Sequence, residues 1–214
     1  MSHIFPSYSR SELIADGAVH VLGVTLGLIG ASVLIALAAT QLDPAAAIAV
    51  LVYGAGMLAV FCFSAAYNLN RGPRRWLLRR LDHAAIYVKI AATYTPFAAI
   101  KMGGGAGSLL LAIVWGIAVF GVAAKLIAPA QLVRTSYVLY LAQGWAGVLA
   151  FGPMLEALSG TALTLLLAGG VLYTVGVVFH LWEKLPYNNA IWHGCVLTAS
   201  GCHFAAVLDA VVLG

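Results

Sequence analysis

Two pairs of polar residues interrupt otherwise apolar stretches at a spacing of four: Ser64 with Asn68, and Asn189 with His193. Residues four apart share one face of a helix, so each pair would present two polar groups to the same neighbour. With Asp82, these pairs could converge on a small polar cavity. A helix often offers metal ligands at this spacing, provided they are histidines or carboxylates. Asparagine is a poor zinc ligand, because its amide oxygen is neutral and hard. Spacing alone therefore favours a hydrogen-bonded cavity over a metal centre.

Other ionisable residues gather at the same depth. Glu12, Asp16 and His20 precede or begin the first apolar segment, His83 adjoins Asp82, His180 ends the sixth segment, and Asn188 opens the seventh. Ionisable groups inside a membrane are costly and point to function. For Asp16, Glu183 and Lys184 the simpler account is a wet helix end. For the others, contributions from several helices at one depth suggest a shared internal site. His203 lies ten residues past His193, about 15 Å deeper along a helix. A buried neutral hydrogen bond is its plainer reading, and a proton-relay or substrate-binding role the sharper one.

The elements that must position these groups are membrane helices. Of 214 residues, 63% are hydrophobic and only 8% are charged, against about 25% charged in soluble domains. A chain so poor in charge cannot cover a water-facing surface, so lipid must be its main solvent. Spans of roughly 20 apolar residues fall at about 17–40, 44–67, 82–100, 106–125, 135–155, 158–181 and 187–212. The expectation is an all-α polytopic membrane protein, a seven-transmembrane-helix bundle forming a single membrane domain over 1–214. No cleaved signal peptide is expected, since the first 16 residues lack an apolar core and a cleavage site. Cys62, Cys195 and Cys202 lie in apolar runs and read as small core residues, neither a disulfide framework nor a metal knuckle.

Orientation follows from the cations. Lys and Arg total 11. With seven spans, Arg10, Arg71, Arg74, Arg75, Arg79, Arg80, Lys125, Arg134 and Lys184 share one side, Lys101 stands opposite, and Lys89 is within a span. Cytoplasmic loops carry the excess of Lys and Arg, which makes the N-terminus cytoplasmic.

The chain resembles the hemolysin III branch of the progestin and adipoQ receptor family, the bacterial relatives of adiponectin receptors. The resemblance spans nearly the whole length. It is carried by YSRSELIADGAVH near the start, SAAYN at 64–68, LRRLDHAAIYVKIAATYTPF at 78–97 and KLPYNNAIWHGCVLTASGCHF at 184–204. It implies a seven-helix bundle with a cytoplasmic N-terminus. It also implies a zinc ion near that face, held by the histidine of a Ser-x-x-x-His motif and by both histidines of a His-x-x-x-His motif. The serine and an aspartate of the third helix would hold a water. Ser64, Asp82 and His193 match this pattern, whereas Asn68 and Asn189 stand where two ligands belong. The family's zinc site is thus expected to be degenerate, with no confident cofactor and zinc possible; His20, His83 or His180 are the available replacement ligands.

The leading expectation is a hemolysin III-type protein of a bacterial inner membrane with an intramembrane polar site near the cytoplasmic face, non-enzymatic or weakly active. Membrane lipids are the expected partners, and no nucleic acid. One alternative is a zinc-dependent lipid amide hydrolase with rearranged ligands, as the resemblance to a superfamily containing alkaline ceramidases implies. Another is a proton-coupled channel or carrier using Asp82, Lys89, His193 and His203. No basic amphipathic segment of the pore-forming kind is evident. Lys89 is expected to run back over Ile86 to pair with Asp82, supplying the charge that zinc supplies in the family. A plainer reading sends its ammonium to the cytoplasmic headgroups.

Overall fold

A computed structural model describes residues 8–127 and 133–214, and every regular element among them is helical. Hydrocarbon offers no water to backbone N–H and C=O groups, so apolar segments close their hydrogen bonds internally as helices. The helices are α1 (Arg10–Gln41), α2 (Pro44–Leu69), α3 (Arg75–Pro96), α4 (Gly104–Ile127), α5 (Val133–Gly144), α6 (Phe151–Ala157), α7 (Gly160–Leu181) and α8 (Asn188–Val207). α3 and α8 run on into π-helical turns, Phe97–Met102 and Leu208–Leu213, and a 3₁₀ segment, Ala146–Ala150, joins α5 to α6.

Six segments are long and apolar enough to cross a membrane: 10–41, 44–69, 104–127, 135–157, 160–181 and 188–213. α3 carries Arg75, Arg79, Arg80, Asp82 and Lys89 and falls outside that set. The surface matches a lipid solvent. Leu22, Leu26 and Ile29 on α1, Val119 and Phe120 on α4, and Leu167 and Val178 on α7 face outward, while Asp16, His20, Asp82, Lys89 and Gln143 are buried.

Two starts and one interruption differ from the sequence expectation. α1 begins at Arg10, not near residue 17, because Ser9 and Glu12 form a reciprocal capping box. Such a box satisfies the free N–H groups of a first turn. α3 begins at Arg75, not 82, and its arginines stay ordered on nearby groups. The Arg75 guanidinium lies 5.2 Å from the Tyr67 ring centre, and Arg80 donates to the Leu126 carbonyl at 3.0 Å. α8 starts where expected, behind Tyr187, whose φ of 61° is left-handed. The Tyr187 N–H donates to Glu12 at 2.9 Å, pinning this turn to the start of α1. The helix expected over 135–155 is broken into α5, the 3₁₀ segment and α6, in a stretch containing Gly144, Gly147, Gly152 and Pro153. The break expected between the spans at 106–125 and 135–155 lies mostly outside the described residues, as do the first seven residues.

Close packing holds α2, α3 and α4 together. A Cβ on Gly56 would stand 2.5 Å from Ala92, and one on Gly121 would stand 2.5 Å from the Tyr87 ring. Small residues at such contacts let membrane helices approach closely enough for dispersion to hold them. Gln143, fully buried, then ties α5 to this block, its amide donating to the carbonyls of Tyr87 and Val114 at 3.0 Å each.

Candidate functional site

The capping box that starts α1 at Arg10 carries Asp16 and His20 into the helix, four apart on its buried face. Across from them, the first turns of α8 present Asn189 and His193 on one face, and the last turns of α2 present Ser64 and Asn68. The three helices meet in one network. His193 Nδ1 lies 2.6 Å from Asp16 Oδ1, with the carboxylate accepting. Asn189 donates to the other carboxylate oxygen at 3.0 Å and to Asn68 Oδ1 at 3.4 Å. Asn68 donates to the Ser64 carbonyl at 3.0 Å, and Ser64 Oγ lies 3.4 Å from His193 Nε2. His20 Nε2 stands 3.5 Å from Asp16 Oδ2, and its ring packs on His193 with centres 4.3 Å apart.

His20, Ser64, Asp82 and His193 line one wall of a cavity of about 410 Å³. Its other lining is mainly apolar, from Phe61, Phe97, Leu163, Val177 and neighbours, and it extends to a second polar group formed by Lys89, Thr93, Tyr173 and His203. Val148, Phe151, Leu155 and Leu167 also line it although each is more than half exposed. The chamber therefore opens sideways, on the lipid-facing surface between the broken fifth segment and α7.

Lys89 does not meet the expectation of a pair with Asp82. Its ammonium points one turn the other way, donating to Thr93 Oγ1 at 2.7 Å, and lies 5.1 Å from the Tyr53 ring centre. Among the described residues no carboxylate stands within 4.0 Å of it. Thr93 is a nearer partner than Asp82, which is about 10 Å away along the helix. Nor does the ammonium reach the helix end, because only 4% of Lys89 is exposed.

The remaining candidates separate. Asp16, set aside in the sequence as a wet helix end, is buried and is the hub of the network. Glu12 lies outside the network and serves as the clamp on Tyr187. His83 faces the Arg79 carbonyl at 2.7 Å, with Asp82 at 3.5 Å. His180 meets the Tyr137 hydroxyl at 3.2 Å. His203 reaches the Leu166 carbonyl at 3.3 Å and packs on Tyr173, whose hydroxyl lies 2.7 Å from Ser200 Oγ. The three cysteines are free thiols.

Zinc at the family's ligand positions does not fit these side chains. Asn68 and Asn189 bond to each other, to Ser64 and to Asp16, and neutral amides replace two of the three imidazoles such a catalytic ion keeps. A different trio lies close by: Asp16, His20 and His193 offer ligand atoms within 4.8 Å of one another.

Apolar helices wrapped around buried, hydrogen-bonded charges define a multi-pass α-helical membrane protein with an internal polar site. The model of the Haemolysin-III related family matches residues 10–204, and the chain belongs to that family. It is 40% identical over 198 residues to Hemolysin-3 of Bacillus cereus, covering 92% of this chain and 90% of the relative. It is 35% identical over 202 residues to a Hemolysin-3 homolog of Bacillus subtilis (strain 168), covering 94% and 95%. A more distant likeness, 27% over 164 residues and covering 73% and 67%, is to human monocyte to macrophage differentiation factor. No solved structure matches.

Proposed function

We propose that the chain is a single-domain, seven-span protein of a bacterial inner membrane, with a cytoplasmic N-terminus, whose chamber binds an amphiphilic lipid anion. α3 with its π-helical turn supplies the seventh span. The arginines of the α2–α3 turn and of α3 support the orientation, because they share one end with Arg10 and Lys184. The observation carrying the binding reading is Lys89, a buried ammonium without a carboxylate partner on the wall of a lipid-facing cavity. A charge buried in the bilayer is costly unless it is paired. A carboxylate or phosphate head seated at Lys89, Thr93 and His203 would offset that cost, while the ligand's tail fills the apolar lining. The cavity's size suits such a ligand, since small-molecule sites run about 300–1,000 Å³.

The relative from Bacillus cereus is named for haemolysis. A lytic pore would need a polar helix face turned outward, and the outer faces of α1, α4 and α7 are apolar. The chamber reading is therefore preferred.

Mass spectrometry of lipid extracted from protein purified in mild detergent tests the function. The wild type is expected to carry an anionic amphiphile that Lys89→Met loses, and equal content in both would overturn the reading. Reporter fusions test the arrangement: one inserted near residue 72 should read cytoplasmic, and one after Gly214 should read on the opposite side.

A further inference from the structure

The network at the arginine-bearing end has an electrostatic gap of its own. Asp16 and Asp82 are both buried, 6% and 8% exposed. Among the described residues their ion-pair partners within 4.0 Å are all imidazoles, and none is a Lys or Arg. Buried carboxylates without a fixed cation are costly. His20 adds a second sign of incompleteness: its Nε2 is buried with no hydrogen-bond partner and faces the Asp16 carboxylate at 3.5 Å.

We propose that Asp16, His20 and His193 form a divalent-metal site, moved from the family's ligand positions on α2 and α8 onto α1 and α8. Two imidazoles and one carboxylate are a ligand set that zinc accepts in catalytic sites, with one position left open. At metal–ligand lengths of about 2.0–2.2 Å in a tetrahedral site, two ligand atoms of one ion stand about 3.3–3.6 Å apart. The trio's atoms, within 4.8 Å of one another, would close around an ion by side-chain shifts of about 1 Å. One ring nitrogen from each histidine and one oxygen of Asp16 would be the donors. His20 and His193 face the chamber, so the open position points toward Ser64 and the cavity. Asn189 and Asn68 would then act by orienting Asp16 and Ser64 through the hydrogen bonds they already make. Such outer partners fix ligand geometry without binding the ion. The ion would bring a divalent positive charge to a place holding two carboxylates, and give His20 Nε2 a partner. The inference does not depend on the lipid-anion reading, which concerns the other end of the chamber.

The full chain, purified in detergent and dialysed against metal-free buffer, would be titrated with Zn²⁺ and the retained metal counted by elemental analysis. One ion per wild-type chain is expected. His20→Gln and Asp16→Asn should each weaken binding about tenfold or more. His180→Asn, which removes a histidine outside the trio, should leave it near the wild-type value. Because Asp16→Asn risks misfolding, thermal melts of His20→Gln supply an independent reading. Zn²⁺ should raise the melting temperature of the wild type, by linkage to folding, and leave that of His20→Gln unmoved. No zinc retained by the wild type, full retention by His20→Gln, or equal loss in His180→Asn would overturn the site.

Discussion

The chamber's two polar ends solve the same problem in opposite ways. At the arginine-bearing end, Asp16, His193, Asn189, Asn68 and Ser64 satisfy one another across three helices, through bonds of 2.6–3.4 Å. In the middle of the bundle, Lys89 has one hydroxyl, one aromatic face and no counter-charge, and His203 keeps a buried Nδ1 without a partner. A network whose members bond one another across three helices stabilises a fold and penalises any broken link. A charge left open adds little stability and is available to something that arrives later. The first end ties three helices together, and the second leaves its ammonium with a hydroxyl and an aromatic ring.

The largest expected effect is on the arginine-bearing end. Asp16→Asn removes the acceptor on which His193 and Asn189 converge, and should destabilise by about 3–5 kcal/mol. Thermal or denaturant unfolding in one detergent would measure it. The double change Asp16→Leu with His193→Leu should cost less than its two single changes added together, by about 1–3 kcal/mol, since contacting residues couple. Strict additivity would show that the two residues do not act as a unit. Next in size is the pairing of Asn68→His with Asn189→His, which rebuilds the family's ligand set beside His193. Zinc should then bind about tenfold or more tightly, and its binding should no longer require His20.

At the open end the sign should reverse. Lys89→Met replaces an uncompensated cation with an apolar chain of similar length, so ligand-free protein should melt at the same temperature or higher. Anionic amphiphile that raises the wild-type melting temperature should leave the variant unmoved. A large loss of stability in Lys89→Met would erase the contrast between the ends. The smallest effect belongs to Ser64→Ala, which removes one hydroxyl from a network that keeps its carboxylate. A cost of about 0.5–1.5 kcal/mol is expected from equilibrium melts.

Much of this arrangement is legible in the residues. Apolar length locates the spans, and the spacing of four in Ser64/Asn68 and Asn189/His193 identifies two of the network's three walls. The third wall is hidden by a boundary. Starting the first helix at residue 17 leaves Asp16 in water, whereas the Ser9-x-x-Glu12 pattern of a capping box starts it at Arg10 and buries Asp16 beside His20. That signal is present in the sequence but is outweighed by hydropathy, which begins only where the apolar run does. The direction of Lys89 fails for a different reason. Helical side chains lean toward the N-terminus, but a lysine has enough rotatable bonds to follow a hydroxyl, and Thr93 lies one turn on. The interruption after Gly144 escapes because 3₁₀ and α segments share nearly the same apolar pattern, and only Gly144, Gly147, Gly152 and Pro153 hint at a break.

The bond between Asp16 and His193 also has a consequence in time. Its partners are 177 residues apart in the chain, so one end of the pair leaves the ribosome long before the other exists. At synthesis rates of about 5–20 residues per second, the interval is on the order of 10–40 s. Throughout it, the first helix must enter the membrane with a carboxylate whose only neighbour in the same helix is His20 at 3.5 Å, kept wet, protonated or shielded by the insertion machinery. Completing the last helix ends that wait. Chains stalled before residue 188 should therefore be the ones that a membrane protease removes, and full-length chains the ones it spares.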